Sequence, residues 1–437
     1  MSEIFADIPK VTYEGPDTRN PLAFRYYQPE KVIGGKTMAE HFRFSMAFWH
    51  SMNGGGADPF GTVTARRPWD GVTDPMALAR TKMQGIFELT TKLQIPFFCF
   101  HDRDIAPDGA TLREANQNLD EIVGLIQSLM GDYPTRLLWG TARLFFHPRY
   151  MNGAATSPDP AVYAYAAGQV KKAIEVTKEL GGSNYVFWGG REGYETLLNT
   201  DMQRELDNLG YFLNMAVDFK KQIGFDGQFL IEPKPMEPTK HQYDADSGSI
   251  WGFLQEYHLE NDFKLNIETN HATLAGHTIQ HELMYARVKG ILGSVDANQG
   301  DTLLGWDTDQ FPTDLYTTTA MMYEILQNGG LHSGGLNFDA KLRRPSSTVE
   351  DLAVAHIVGM DSFARGLMAA QAIMDDGELP GFVKDRYEGY RSSDLGTQIA
   401  GQKTSFTELE QWVLDRPVDY TASGRQEYLE SLVNRYL

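Results

Sequence analysis

The sequence predicts an α/β fold, a (β/α)8 TIM barrel with an N-terminal arm and a C-terminal helical extension. Eight short apolar or β-branched runs recur along the 437 residues. Stretches with helical apolar spacing separate them, and strand–helix alternation favours a parallel sheet. Eight repeats favour closure into a barrel over an open doubly wound sheet. A third observation agrees: polar side chains cluster just past the apolar part of the runs, and in such barrels the C-terminal rim of the strands holds the active site. No GxGxxG follows the first run, which removes the main pointer to a dinucleotide fold.

Residues 1–35, rich in Pro, Gly and charge, read as an irregular arm. The barrel is expected over residues 36–378. Its strand candidates are Phe42–His50, Pro96–Asp102, Arg136–Phe145, Asn184–Gly190, Gln228–Lys234, Lys264–Thr269, Gly293–Asn298 and Gly335–Asp339. Helical spacing marks, among others, Leu112–Leu129, Ala161–Leu180, Met202–Ile223 and Leu315–Leu326. Residues 379–437 turn polar, with Gly, Ser and Asp among short helices. Within them Glu408–Leu414 and Gln426–Leu437 keep apolar faces that this tail cannot bury alone, so packing across a subunit contact is expected.

A hydrophobic share of 42% is ample for a buried core. The net charge of −19 opposes nucleic acid, whose binding rests on Lys and Arg neutralising phosphates, and gives no attraction to anionic lipid. The lone Cys99 cannot form an internal disulfide and reads as a buried, inert thiol. Met1–Lys10 has no apolar core of a secretory signal, and no stretch approaches the roughly 20 apolar residues of a membrane span. The expectation is a cytoplasmic protein with no nucleic-acid or membrane partner.

The chemistry concentrates at the ends of the later runs. Glu232 closes Phe-Leu-Ile-Glu, Glu268 closes Leu-Asn-Ile-Glu with His271 three residues on, Asp296 closes Gly-Ser-Val-Asp and Asp339 closes Leu-Asn-Phe-Asp. Asp307 and Asp309 lie in Gly-Trp-Asp-Thr-Asp, where alternation in an extended loop would turn both carboxylates the same way. One acid at a strand end is ordinarily a solvated residue or a helix cap. Five such loops converging on one rim would repel and take up protons unless cations lay between them. Oxygen donors with one imidazole suit Mg2+, Mn2+ or Co2+. Seven ligands are too many for one ion that keeps a position open, so two divalent ions are expected, with Mg2+ first.

Other residues suit proton transfer and charge stabilisation. His101 and Asp104 lie in Phe-His-Asp-Arg-Asp past the second run, where a carboxylate can fix the imidazole tautomer. Lys234, between Pro233 and Pro235, can aim an ammonium at a carbonyl or developing alkoxide. Trp49 and Trp188 end the first and fourth runs and offer apolar walls, with core packing as the plain alternative. His277 and His281 are four apart and precede Glu282, but the order is not HExxH, so they read as helix-surface or core histidines.

At these residues the chain closely resembles the xylose isomerases, in the longer form with an extended N-terminal segment. The matching stretches are Phe100-His-Asp-Arg-Asp, Trp188-Gly-Gly-Arg-Glu-Gly-Tyr-Glu, Ile231-Glu-Pro-Lys-Pro-Met-Glu-Pro and Glu268-Thr-Asn-His-Ala-Thr-Leu-Ala-Gly-His. Gly293-Ser-Val-Asp-Ala-Asn-Gln-Gly-Asp, Gly305-Trp-Asp-Thr-Asp-Gln-Phe-Pro and Gly335-Leu-Asn-Phe-Asp-Ala-Lys complete them. The resemblance implies an aldose–ketose isomerase that shifts hydride between C1 and C2 of D-xylose, and of D-glucose as well. It implies one ion on Glu232, Glu268, Asp296 and Asp339, and another on Glu268, His271, Asp307 and Asp309, with Glu268 bridging. His101, oriented by Asp104, would assist ring opening, and Lys234 would contact the carbonyl oxygen. Trp49 and Trp188 would line the pocket, with Trp139 and Thr141 contacting substrate from the third strand. Phe60 would reach into a neighbouring subunit's pocket, in a homotetramer.

Two alternatives belong to other classes. An endonuclease IV-like phosphoesterase also uses Asp, Glu and His on a barrel rim, but would need basic surface for phosphate. A sugar-binding or metal-storage protein would not need His101–Asp104 and Lys234 beside seven ligands.

Overall fold

The structure, a computed structural model, describes residues 3–419 and 421–437. Eight parallel strands close into a barrel in chain order. They are β1 Ser45–Ala47, β2 Phe97–His101, β3 Arg136–Thr141, β4 Asn184–Trp188, β5 Gln228–Glu232, β6 Phe263–Glu268, β7 Leu292–Asp296 and β8 Leu336–Phe338. One long helix follows each: α1 Pro75–Lys92, α2 Leu112–Asp132, α3 Pro160–Glu179, α4 Met202–Ile223, α5 Ser247–Glu256, α6 Ile279–Lys289, α7 Leu315–Gln327 and α8 Val349–Asp376.

Local sequence sets where these helices begin. All eight start on an Asp or Thr whose side chain accepts a first-turn amide: Asp74, Thr111, Asp159, Asp201, Asp246, Thr278, Asp314 and Thr348. α4, α6 and α8 stop at Gly224, Gly290 and Gly377, whose φ of 65°, 73° and 74° is the left-handed turn that favours glycine.

The strands are shorter than the apolar runs that announce them. Past the last ladder partner, extended backbone has nothing to pair with, so the chain coils and satisfies its own amides. Phe48–Met52, Asp102–Ile105 and Thr269–Leu274 are short helices at the rim. Trp49, Asp104 and His271 therefore stand on helical turns rather than on strands.

The barrel interior is filled by Cys99, Leu138, Trp139, Val186 and Leu230. Cys99 is free and buried, its Sγ 3.0 Å from Ser45 Oγ, and burial pushes its thiol well up, so it is inert as expected. Phe5, Ile8, Val11, Phe24 and Tyr27 bury the N-terminal segment in the main core. Two carboxylates tie it down. Glu88 on α1 accepts the amides of Ile4 (2.7 Å) and Phe5 (2.9 Å). Asp361 on α8 accepts those of Arg25, Tyr26 and Tyr27 at 2.8, 2.9 and 2.8 Å.

The C-terminal segment contains helices Glu378–Arg386, Asp394–Ala400, Phe406–Val413 and Gln426–Val433. Leu432 is buried, but Phe406, Leu414 and Val418 are 94%, 61% and 72% exposed. Among the described residues no helix is long and apolar enough to cross a membrane.

The carboxylate that holds three amides gives a stability prediction. Asp361→Ala should lower unfolding stability by about 3 kcal/mol, because it strands three backbone donors, that of Tyr27 fully buried. The readout is a lower urea midpoint at unchanged slope.

Candidate metal centre and active site

Parallel register aligns the polar side chains in one ring. Glu268 on β6 sits beside Asp296 on β7, Trp188 on β4 beside Glu232 on β5, and His101 on β2 beside Thr141 on β3. These are the last residues of their strands, so they open together onto the C-terminal rim. All of the ring but Asp296 lines a cavity of about 170 Å3 with Trp49, His50, Trp139, Phe145, Lys234, His271, Asp307, Asp309 and Asp339.

Ligand atoms of Glu232, Glu268, Asp296 and Asp339 lie within 4.8 Å of one another. The same holds for Glu268, Asp307 and Asp309, and for Glu232, Glu268 and His271. Glu268 is common to all three groups. His271 Nδ1 donates to the Pro233 carbonyl at 2.9 Å, which orients the ring so that Nε2 faces Glu268 Oε2 (3.0 Å) and Asp307 Oδ2 (3.1 Å). Asp307 and Asp309 do converge, but not by simple alternation: Asp309 takes a left-handed φ of 43°, a conformation Asp tolerates better than most residues. Lys341 N donates to the Asp309 carbonyl at 2.8 Å and its ammonium meets Asp309 Oδ2 at 2.8 Å.

Packing these acids together has a large electrostatic cost. Burial, then the neighbouring Asp296 and Asp339, raise Glu232 well above the usual carboxylate range. Burial, then Asp307 and other acids, does the same to Glu268. Burial and Asp339 raise Asp296 to about 8. Two members go the other way against burial: His271 and Lys234 hold Asp307 well below the usual range, and His50 lowers Asp339.

Beside the acids stand the groups that can handle protons. His101 Nδ1 donates to Asp104 Oδ2 at 2.8 Å, and Asp104 Oδ1 meets Arg143 Nη1 at 3.1 Å. Against burial, His101 and Arg143 hold the Asp104 carboxyl down, so it stays anionic beneath the imidazole. Lys234 Nζ donates to Asp307 Oδ2 at 2.6 Å and lies 5.4 Å from the Trp188 ring centre. Nearby acids raise its pKa despite burial, so it is a fixed cation. Trp49 packs its ring on His101 (4.5 Å) and Trp139 (5.5 Å), and its Nε1 donates to Asp339 Oδ1 at 2.9 Å. Thr141 Oγ1 donates to the Val186 carbonyl at 2.6 Å while lining the same cavity.

Of the residues expected from sequence, Phe60 alone stands apart in this chain: it is 98% exposed and does not line the pocket. Asp296 and Asp104 lie just behind the lining, in contact with residues that form it. Sequence reasoning missed several residues. His50 Nε2 meets Asp339 Oδ1 at 2.7 Å and Asp309 Oδ2 at 3.4 Å, and despite burial those acids raise it to about 9. Asn266 Nδ2 donates to Asp296 Oδ2 (2.6 Å) and Asn337 Nδ2 to Asp296 Oδ1 (2.8 Å). Asn298 Nδ2 donates to Glu268 Oε1 (2.7 Å) and the Asp339 carbonyl (2.8 Å). Each asparagine stands two positions from a strand-end acid, the strand repeat, so a period-two search would have found them. Nothing in the sequence marks His50, which a continued strand would turn away from Trp49.

The donor set fits divalent cations. Asp307 Oδ1 is a buried carboxylate oxygen with no hydrogen-bond partner, the condition a cation relieves. Oxygen ligands with one imidazole are those of hard or borderline ions.

Fold and rim together define a (β/α)8 barrel protein whose strand ends carry an acid cluster able to hold divalent metal. The chain is 58% identical to the xylose isomerase of Thermoanaerobacter sp. (strain X514), with 100% of this chain and 99% of that protein covered. It is 58% identical to the xylose isomerase of Thermotoga neapolitana (100% and 98% covered) and 57% identical to that of Caldicellulosiruptor bescii (99% and 99%). Residues 383–437 match the family model described as the XylA2 C-terminal domain. The solved structure of an L-ribulose 3-epimerase superposes with a TM-score of 0.50 at 13% identity, covering 77% of this chain and 97% of that one, a likeness of fold. The chain belongs to the xylose isomerase family.

The raised carboxyls give a pH prediction. Asp296 ionises near 8 in the metal-free fold but near 3.8 when exposed, so its contribution to metal-free stability is present at low pH and is lost as pH rises through 8. Cations compete with those protons. The rise in Tm on adding Mg2+ or Mn2+ should therefore be larger at about pH 8 than at about pH 5, and EDTA should abolish it.

Proposed function

We propose that this protein is an aldose–ketose isomerase interconverting D-xylose and D-xylulose, and D-glucose and D-fructose as well, by ring opening and a C1–C2 hydride shift. One observation carries the reading: six of the seven acid and imidazole ligands, with Asp296 just behind, share a single cavity with His101, Lys234 and the tryptophan walls, and Asp104 backs His101. Two divalent cations, Mg2+ foremost, would supply Lewis-acid stabilisation of negative charge on the sugar's O1 and O2. Glu232, Glu268, Asp296 and Asp339 would hold one; Glu268, His271, Asp307 and Asp309 would hold the other.

The remaining steps fall to side chains. His101 Nε2, the nitrogen not committed to Asp104, moves a proton between the ring oxygen and O1 as the cyclic sugar opens. Asp104, itself held by Arg143, keeps the imidazole in that tautomer. Lys234 directs a permanent positive charge at the carbonyl oxygen, where charge grows in the transition state. Its bond to Asp307 supports this assignment, because it fixes the ammonium on the cation side of the pocket. Trp49, Trp139, Phe145 and Trp188 exclude water, and a dry site favours hydride migration over exchange with solvent. Phe60 completes the wall of a neighbouring subunit's pocket in a homotetramer, a reading supported by its exposure and by the uncovered apolar side chains of the C-terminal helices.

Incubation with D-xylose and Mg2+ should yield D-xylulose, and in D2O the product should carry no solvent deuterium at C1. No ketose, or full deuterium incorporation, overturns the reading. Glu268→Gln should lose about 10-fold more activity than Glu232→Gln, since a bridging carboxylate serves both cations; equal losses argue against the bridge. His101→Asn should slow turnover of the cyclic sugar by about 100-fold or more while metal affinity, measured calorimetrically, stays near wild type.

A further inference from the structure

One histidine pair is not absorbed by the rim. His277 follows the short helix that carries His271, and His281 and Glu282 lie in the first turn of α6. Glu282 is only 3% exposed and among the described residues pairs with no lysine or arginine; its partners in that respect are the two histidines. A buried carboxylate without a cation is costly. Its Oε2 is committed, accepting the Ser247 amide at 2.8 Å at the start of α5. Its Oε1 faces His277 Nδ1 at 2.5 Å and His281 Nε2 at 4.0 Å. The imidazole rings stand edge to face with centroids 4.8 Å apart, and the three donor atoms lie within 4.8 Å of one another.

We propose that His277, His281 and Glu282 form a third cation site, selective for a borderline transition metal such as Zn2+. Tetrahedral zinc with ligands near 2.0–2.1 Å places donors about 3.4 Å apart, between the separations seen here, so closing the site draws His281 in and opens the His277–Glu282 pair by just under about 1 Å. The His281 ring is 58% exposed, whereas the carboxylate is already held and Thr278 caps the turn that presents both residues. Two imidazoles and one carboxylate, with water in the remaining position, prefer Zn2+, Ni2+ or Cu2+ to Mg2+. The rim set, with one imidazole among seven ligands, has the opposite bias. A bound ion would clamp the start of α6 to the start of α5. It would also brace the helix bearing His271, since Glu282 lines a narrow cavity with Glu268 and His271.

The test is metal stoichiometry of the full-length, chelator-stripped protein, read by elemental analysis after equilibrium dialysis with Zn2+ alone or Mg2+ alone. Wild type should retain one zinc equivalent more per chain than His281→Gln or His277→Gln, and the three proteins should bind equal Mg2+. With Mg2+ saturating, micromolar Zn2+ should raise the Tm of wild type further but not that of either variant. Equal zinc in wild type and variants overturns the proposal, as does a zinc-dependent Tm shift that survives substitution. If His277→Gln does not fold, the exposed His281 still allows the comparison. The difference in zinc content decides this site even if the rim binds fewer Mg2+ than expected, so its failure is distinct from failure of the isomerase reading.

Discussion

Repulsion among buried carboxylates is the constraint around which this barrel is organised. Glu232, Glu268 and Asp296 stand at the ends of three consecutive strands, held within a few ångströms of one another and of Asp339. Burial and mutual repulsion drive these three toward protonation, a state in which they would be poor cation ligands. The fold answers with amide donors that fix the carboxylates without neutralising them: Asn266 and Asn337 on Asp296, and Asn298 on Glu268. Cationic partners lie on the outer side, His50 on Asp339, Lys341 on Asp309 and Lys234 on Asp307. The result is a cage of acids whose cationic partners stand at its edge.

The barrel supplies the rigidity such a cage needs. In-register parallel ladders place Glu268 beside Asp296 and Trp188 beside Glu232, so relative positions are set by backbone hydrogen bonds rather than by loops. Short rim helices then turn Trp49, Asp104 and His271 inward where an extended chain would alternate past the pocket. The arm contributes indirectly. Its amides are gathered by Glu88 and Asp361, on the helices that follow β1 and β8, next to the seam where the barrel closes.

The architecture and the convergence of the strand-end acids on one rim were legible in the sequence because both follow simple periodicities. Apolar runs spaced by helical stretches gave eight strands, and the boundaries of α4 agree residue for residue. Strand ends were less legible: coiling of Phe48–Met52 depends on the absence of a ladder partner, which is a three-dimensional fact. His50 was invisible for that reason. The supporting asparagines carried a usable signal, two positions from each acid, that a search for ionisable groups alone passes over. The left-handed turn at Asp309 was not foreseeable, since it rests on contacts with Lys341, more than thirty residues on.

The most direct measurement is anomalous scattering from a crystal of the manganese-loaded protein. The account predicts two manganese peaks per chain in the rim cavity, one against Glu232, Asp296 and Asp339, the other against His271, Asp307 and Asp309, with Glu268 touching both. A single rim peak, or a Glu268 carboxylate bound to only one ion, would contradict it.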